Sequence, residues 1–321
     1  MNFTEGCTVA PASVPSDAGV AGVGVLLSFM ITAVIALGLS VSLVFDEIRN
    51  SGKPSVLRRR LLNSYSDQQL LTGIGIQGVG LAKMSTMVPY HFFIIWMLSL
   101  LSIGVHNATL IALVHDYRRD AVLRWVRQAL MAINLLLSCA YGIFILEAVQ
   151  DGINNSTLPI MCVWSPDPLP DNAVEPPSKG ISLSFIGTIV AIAGNVFVFG
   201  FATYYLQSRT QRYYRLIQII GLVTMAGIAI GATIRVVLMA QAFQTAPPVS
   251  LSDQGERAWS FGQLLSVGML LLPVVSIIEI LRGEIQCAPP VPDEEVKLLD
   301  PEDGAAPPAG AEGGEELQET K

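Results

Sequence analysis

Long apolar runs alternate with short polar connections along this chain, and the runs set its architecture. Six stretches, 18–45, 91–115, 126–149, 181–206, 216–243 and 259–281, are long enough for a helix to cross the roughly 30 Å of bilayer hydrocarbon. A seventh, 69–89 (QLLTGIGIQGVGLAKMSTMVP), is interrupted by four glycines, Gln77 and Lys83. Taken alone, it reads equally as a re-entrant or surface segment.

Charge decides for a seventh span, because Lys and Arg accumulate in short cytoplasmic loops. With seven spans and the N-terminus outside, the inner loops are 46–68, 116–125 and 207–215. They carry eleven Lys and Arg, Arg58–Arg60 among them, while the outer loops 150–180 and 244–258 carry only Lys179 and Arg257. Dropping 69–89 would reverse two inner loops and destroy the asymmetry. The expected fold is an all-α membrane protein of seven transmembrane helices, N-terminus outside and C-terminus cytoplasmic. Residues 1–17 have no basic segment of the kind that opens a cleavable signal, so they read as a short outer head before an uncleaved anchor.

Composition narrows the class further. The chain is 51% hydrophobic and 14% charged, with a mean hydropathy of +0.53, against about 25% charge in soluble domains. A water-soluble enzyme and a nucleic-acid binder are both excluded, and the partner implied is the lipid bilayer, with the plasma membrane favoured over internal membranes. The net charge of −7 is concentrated at one end. Residues 282–321 hold eleven acids and three bases, a balance of −8. This Pro-, Gly-, Ala- and Glu-rich tail buries too little apolar surface to order itself, and is expected to be a disordered spacer or a docking tail for a basic partner.

Cys7 and Cys162 both fall outside, where a disulfide is chemically permitted, while Cys139 lies in the fourth span and Cys287 is a juxtamembrane thiol open to palmitoylation. Among the N-x-S/T sequons, Asn2, Asn154 and Asn155 are outer candidates for glycosylation, and Asn107 is inaccessible within a span.

Polar residues inside a bilayer are costly and face the bundle interior. At a rise of about 1.5 Å per residue, Gln77, His106, Asn134 and Asn195 all come about 12–16 Å from the cytoplasmic end of their spans. Lys83 lies at roughly 20 Å, and Glu147 and Arg235 at roughly 28–32 Å, by the same rise. The pattern predicts a polar cavity of Gln77, Lys83, His106, Asn134, Asn195 and Arg235, with Glu147 and Arg235 as an ion pair. The plainer alternative is interhelical hydrogen bonding, with Lys83 and Arg235 snorkelling outward. Gly227 and Gly231 form a G-x-x-x-G that suggests close helix packing.

All three histidines, His91, His106 and His115, sit on one span, so they cannot assemble a bis-histidine haem or a multi-helix zinc site. No H-E-x-x-H, G-x-S-x-G or G-x-x-x-x-G-K-[ST] motif occurs. No cofactor, catalytic residue or metal site is expected.

Two resemblances bear on identity. The seven-span outline is that of a G-protein-coupled receptor, but His115-Asp116-Tyr117-Arg118-Arg119-Asp120 is a scrambled form of that class's third-span signature, and Pro273 stands without the usual Asn-Pro-x-x-Tyr. The segment Tyr65-Ser66-Asp67-Gln68-Gln69-Leu70-Leu71-Thr72-Gly73, followed by Tyr90-His91, Trp96, Ser99, Ser102, His106, Thr109 and Leu110, resembles a large family of multi-pass membrane proteins of filamentous fungi with no settled activity. The match covers about 65–120, and Phe92 departs from the family's tryptophan. It implies a multi-pass fold and a fungal source. Ser66 and Asp67 are the expected cap of the second helix.

These readings lead to a non-enzymatic receptor-like or sensor-like protein that binds a small lipophilic ligand among spans two to six. The alternatives are a transporter or accessory component of a fungal pathway, and a membrane-embedded enzyme drawing on Lys83, His106 and Glu147.

Overall fold

The computed structural model describes residues 7–49, 55–119, 121–153, 155–165, 169–170, 183–207, 213–245 and 247–282. Within them the chain is helical apart from its connections and one isolated β-bridge between Val14 and Leu251. A short α1 (Ala18–Ala21) runs into α2 (Val23–Arg49). Then come α3 (Val56–Ala82), α4 (Pro89–Ala112), α5 (Val114–Arg119), α6 (Ala121–Gln150), a 3-10 turn at Ile160–Trp164, α7 (Leu183–Gln207) and α8 (Tyr214–Met239). The last rod is α9 (Phe261–Gly268), a 3-10 turn (Met269–Leu271) and α10 (Leu272–Leu281). Asn2, Asn154, Cys287 and the acidic tail beyond residue 282 lie outside the described residues.

Among the described residues five helices are long and apolar enough to cross a membrane: Ala18–Arg49, Pro89–Ala112, Arg124–Gln150, Phe185–Gln207 and Tyr214–Met239. Two rods depart from that pattern. α3 starts well before the apolar run at 69, because the Ser55 side chain accepts the Arg58 N–H and opens the helix there. Leu62, Tyr65 and Leu70 then continue a buried face through the polar segment. The last rod is broken near its middle. Pro273 has no N–H and its ring crowds the carbonyl of Met269, where the α-helix gives way to 3-10 geometry.

α4 is the axle. Every residue of it except Phe93 is buried, and α2, α3, α6, α7 and α8 all pack around it. Pro89 occupies its first turn, where the missing N–H costs nothing. Polarity runs opposite to that of a soluble protein. His91, Ser99, Ser102, His106, Asn107 and Thr109 are buried on α4, while Val190, Phe197, Val223, Ile230 and Leu238 face outward from α7 and α8. An outer belt of large apolar side chains around a polar core is the arrangement a lipid solvent favours.

The head, residues 7–22, folds over one end of the bundle. Cys7 and Cys162 are joined by a disulfide with Cα atoms 5.6 Å apart. Val14 exchanges backbone hydrogen bonds with Ser250 and Ser252 at 3.1 and 2.8 Å. The Ser16 hydroxyl and the Gly255 N–H donate to the Asp253 carboxylate and hold its carboxyl below the usual carboxylate range.

Candidate ligand cavity and the buried polar layer

Two buried polar groupings and one cavity stand out among the described residues. The first joins α3, α4 and α6. The Gln77 amide nitrogen donates to Asn134 Oδ1 at 2.6 Å and to the Gly73 carbonyl at 3.0 Å. Asn134 Nδ2 donates to Ser102 Oγ at 3.0 Å and points to His106 Nδ1 at 3.5 Å. The Ser102 hydroxyl passes its own hydrogen to the Gln69 carbonyl, and the Tyr141 hydroxyl donates to the Gln77 carbonyl at 2.6 Å.

Two glycines permit this approach. A Cβ at Gly73 would lie 2.4 Å from Ser102 Oγ, and one at Gly80 would lie 2.0 Å from the Tyr141 hydroxyl oxygen. The layer is sealed, since Gln77, Ser102, His106 and Asn134 are all inaccessible to solvent. Gln77 Oε1 and His106 Nε2 have no partner. With Nδ1 as acceptor, the imidazole proton sits on Nε2.

Three of the four residues expected at this height therefore meet, and Asn195 does not join them. Its amide donates to the Ala191 carbonyl of its own helix at 2.9 Å. The expected ion pair of Glu147 and Arg235 is absent as well. α7 packs against both α6 and α8 and keeps those two helices apart, so residues at one height point into different seams. Ser66 and Asp67 cap nothing, because α3 has already run more than two turns when it reaches them. Asp67 instead binds Arg127 of α6, and the Ser66 hydroxyl is buried without a partner.

The second grouping lies beneath the head. Glu256, delivered by the loop between α8 and α9, is fully buried. Its carboxylate accepts from the Tyr90 hydroxyl at 2.9 Å and meets His91 Nε2 at 2.8 Å. The Gln241 N–H donates to the Tyr90 oxygen at 2.8 Å, and the Asp17 N–H approaches His91 Nε2 at 3.3 Å. Lys83 does not line the cavity between α4, α7 and α8. It sits in the turn after α3, 51% exposed, and pairs with Asp17 at 2.8 Å. Sequence reasoning passed over Tyr90, His91 and Glu256 as a group. The carboxylate comes from a loop 165 residues along the chain, and no local pattern announces it.

The third feature is a cavity of about 400 Å³ between α4, α7 and α8. Phe93, Trp96, Met97, Leu100 and Ile228 form apolar walls, and the one charged lining residue is Arg235. Arg235 has no ion pair among the described residues. Gly187, Gly227 and Gly231 also line the space, and a Cβ at any of them would meet nothing within 4 Å. The G-x-x-x-G of α8 thus makes room here rather than close contact.

Asn155 is half-buried in the turn that follows α6. Set against protein-family models, curated proteins and solved structures, the chain matches none of them.

Proposed function

We propose that this chain is a seven-span integral membrane protein, N-terminus outside and C-terminus cytoplasmic, acting as a non-enzymatic receptor or sensor for a small lipophilic ligand. The resemblance to multi-pass proteins of filamentous fungi supports the multi-pass fold alone, and the plasma membrane is the location we propose. The ligand would sit between α4, α7 and α8.

One observation carries the proposal: an apolar cavity of about 400 Å³ holds a single cation, Arg235, on its lining. Arg235 has no acidic partner among the described residues and stands toward the outer end of its span, and a guanidinium can donate two hydrogen bonds to a carboxylate or similar anion. A ligand with an apolar body and one anionic group satisfies both the walls and the arginine. Its occupancy would tie the outer helices α7 and α8 to the axle α4, which gives a sensor its two states.

The binding test uses full-length protein in nanodiscs and a fluorescent fatty acid, dansyl-undecanoate. The native chain is expected to bind it. Arg235→Leu is expected to weaken binding about tenfold or more, and Gly231→Leu to abolish it by filling the cavity. Equal binding by all three proteins would defeat the proposal. Topology has a separate check: a single cysteine placed in 207–215 should react with an impermeant maleimide only after the membrane is opened. Labelling of intact cells would overturn the orientation.

A further inference from the structure

The Arg235 cavity has a wall, a floor and an open flank. Its α4 wall is the buried face of Trp96, Met97 and Leu100. Its floor lies where the helices touch. A Cβ at Gly194 of α7 would lie 3.3 Å from Ile228 of α8, and one at Gly221, a turn inward of Thr224, would lie 2.6 Å from Ile111 of α4. At the outer end the seam between α4 and α8 is bolted. The Gln241 N–H donates to the Tyr90 oxygen, Tyr90 donates to Glu256, and all three residues are buried.

The open flank lies between α7 and α8. Gly187, Gly227 and Gly231 line the cavity there and are exposed, with nothing within 4 Å of an added Cβ. Val190, Ile230 and Ile234 around them are each more than half exposed. α7 carries no Asp, Glu, Lys or Arg, and α8 carries only Arg215 near its inner end and Arg235 near its outer end. In a bilayer such a flank meets acyl chains rather than water.

Depth identifies which lipids it meets. The lining of α8 runs from Thr224 to Arg235, about 16 Å at 1.5 Å per residue. That is about half of the roughly 30 Å of bilayer hydrocarbon, so the cavity is one leaflet deep. Arg235 stands four residues before the end of α8 at Met239, about 6 Å along the axis. This is the level at which an outer-leaflet phospholipid carries its phosphate, and a guanidinium can donate two hydrogen bonds to a phosphate. The cavity volume of about 400 Å³ is near the small end of ligand sites, about 300–1,000 Å³, which suits one acyl chain. The open flank leaves a second chain in the bilayer.

We infer that the gap between α7 and α8 is a lateral entry, through which the cavity takes one acyl chain of an anionic outer-leaflet phospholipid whose phosphate binds Arg235. This rests on the ligand-site reading of the cavity given above, and adds the source, the route and the lipid class.

The experiment uses full-length protein in phosphatidylcholine nanodiscs holding a trace of phosphatidylglycerol with a diazirine in one acyl chain. A two-chain lipid is held in the bilayer by its apolar area, so it reaches the cavity only sideways. Crosslinks are expected on Trp96, Met97 and Leu100, which lipid outside the bundle cannot touch. Their yield should be about tenfold higher than with phosphatidylcholine carrying the same diazirine chain. Arg235→Gln should make the two lipids equal. Gly227→Leu should abolish the α4 crosslinks by obstructing the gap, while the exposed Phe197 remains labelled in every variant.

Labelling of Phe197 without α4 in the native chain overturns lateral entry. Equal α4 labelling by the two lipids, or a preference that survives Arg235→Gln, overturns the role of the phosphate, and α4 labelling that survives Gly227→Leu overturns the route. The native-chain comparison stands even if a substitution prevents folding. Dansyl-undecanoate added from water separates the two readings: Arg235-dependent binding without α4 crosslinks leaves the ligand site standing and removes the lateral entry, and loss of both removes both.

Discussion

The two sides of α4 are built on opposite principles. Toward α3 and α6 it meets its neighbours through hydrogen-bonded side chains, with glycines at the contact so that backbones come close. Toward α7 and the outer part of α8 it meets the apolar walls of the cavity, where Gly187, Gly227 and Gly231 face open space, while nearer its far end Ile111 abuts Gly221. The same residue type thus closes contacts at Gly73, Gly80 and Gly221 and leaves space at Gly187, Gly227 and Gly231. In a medium as apolar as the side chains, no hydrophobic gain draws helices together, and polar bonds of about 0.6–2 kcal/mol each, together with close fit, decide which seams are tight.

Substitutions at equivalent glycines test this contrast most strongly. Gly80→Leu should lose most of the folded protein, because the added carbons collide with Tyr141 and Ile95 and forced overpacking costs about 1–3 kcal/mol or more. Gly231→Leu should leave thermal stability within about 0.5 kcal/mol. Fluorescence-detected size-exclusion after heating measures both, and similar losses would erase the distinction.

Asn134→Leu should cost about 1–3 kcal/mol, since it strands the Gln77 amide and the Ser102 oxygen in a sealed site. Thr224→Val, across the axle, removes only a hydroxyl that donates to its own helix and should shift the same melting curve by less than about 0.5 kcal/mol. An Asn134→Leu protein as stable as the native one would mean that the polar layer does not hold the seam.

The smallest effect concerns the head. Asp253 has its carboxyl pKa lowered by the Ser16 hydroxyl and the Gly255 N–H. Its stabilising contribution is therefore full above the ordinary carboxylate pKa and is lost as pH falls through the depressed folded value. Hydrogen exchange at residues 14–17 and 250–255 should speed up below about pH 4, and Asp253→Asn should remove that pH dependence. Unchanged exchange down to pH 2.5 would show that the contact does not anchor the head.

Much of this was legible in the sequence, but only along the helix axes. Counting residues brings Gln77, Asn134, His106 and Asn195 to one height, and the first three do meet. Height says nothing of rotation about the axis. Asn195 turns toward its own helix, and Glu147 and Arg235 are divided by α7. Hydropathy likewise marks where a helix becomes lipid-like rather than where it starts, which is why Ser66 and Asp67 looked like caps and the true cap, Ser55, did not. The burial of Glu256 left no local trace, because its partners Tyr90 and His91 lie on a helix read as apolar.

The disulfide joins cysteines 155 positions apart, and the stretch between them contains α2, α3, α4 and α6, whereas α7 to α10 lie beyond Cys162. The helices that share the buried polar layer thus lie in a closed covalent ring, and α7 to α10 are attached beyond it. A single peptide-bond cleavage inside the ring leaves the chain in one piece until a reductant is added. A single cleavage after Cys162 separates the two sides at once, and reveals whether α7 and α8 stay with α4 by contact alone.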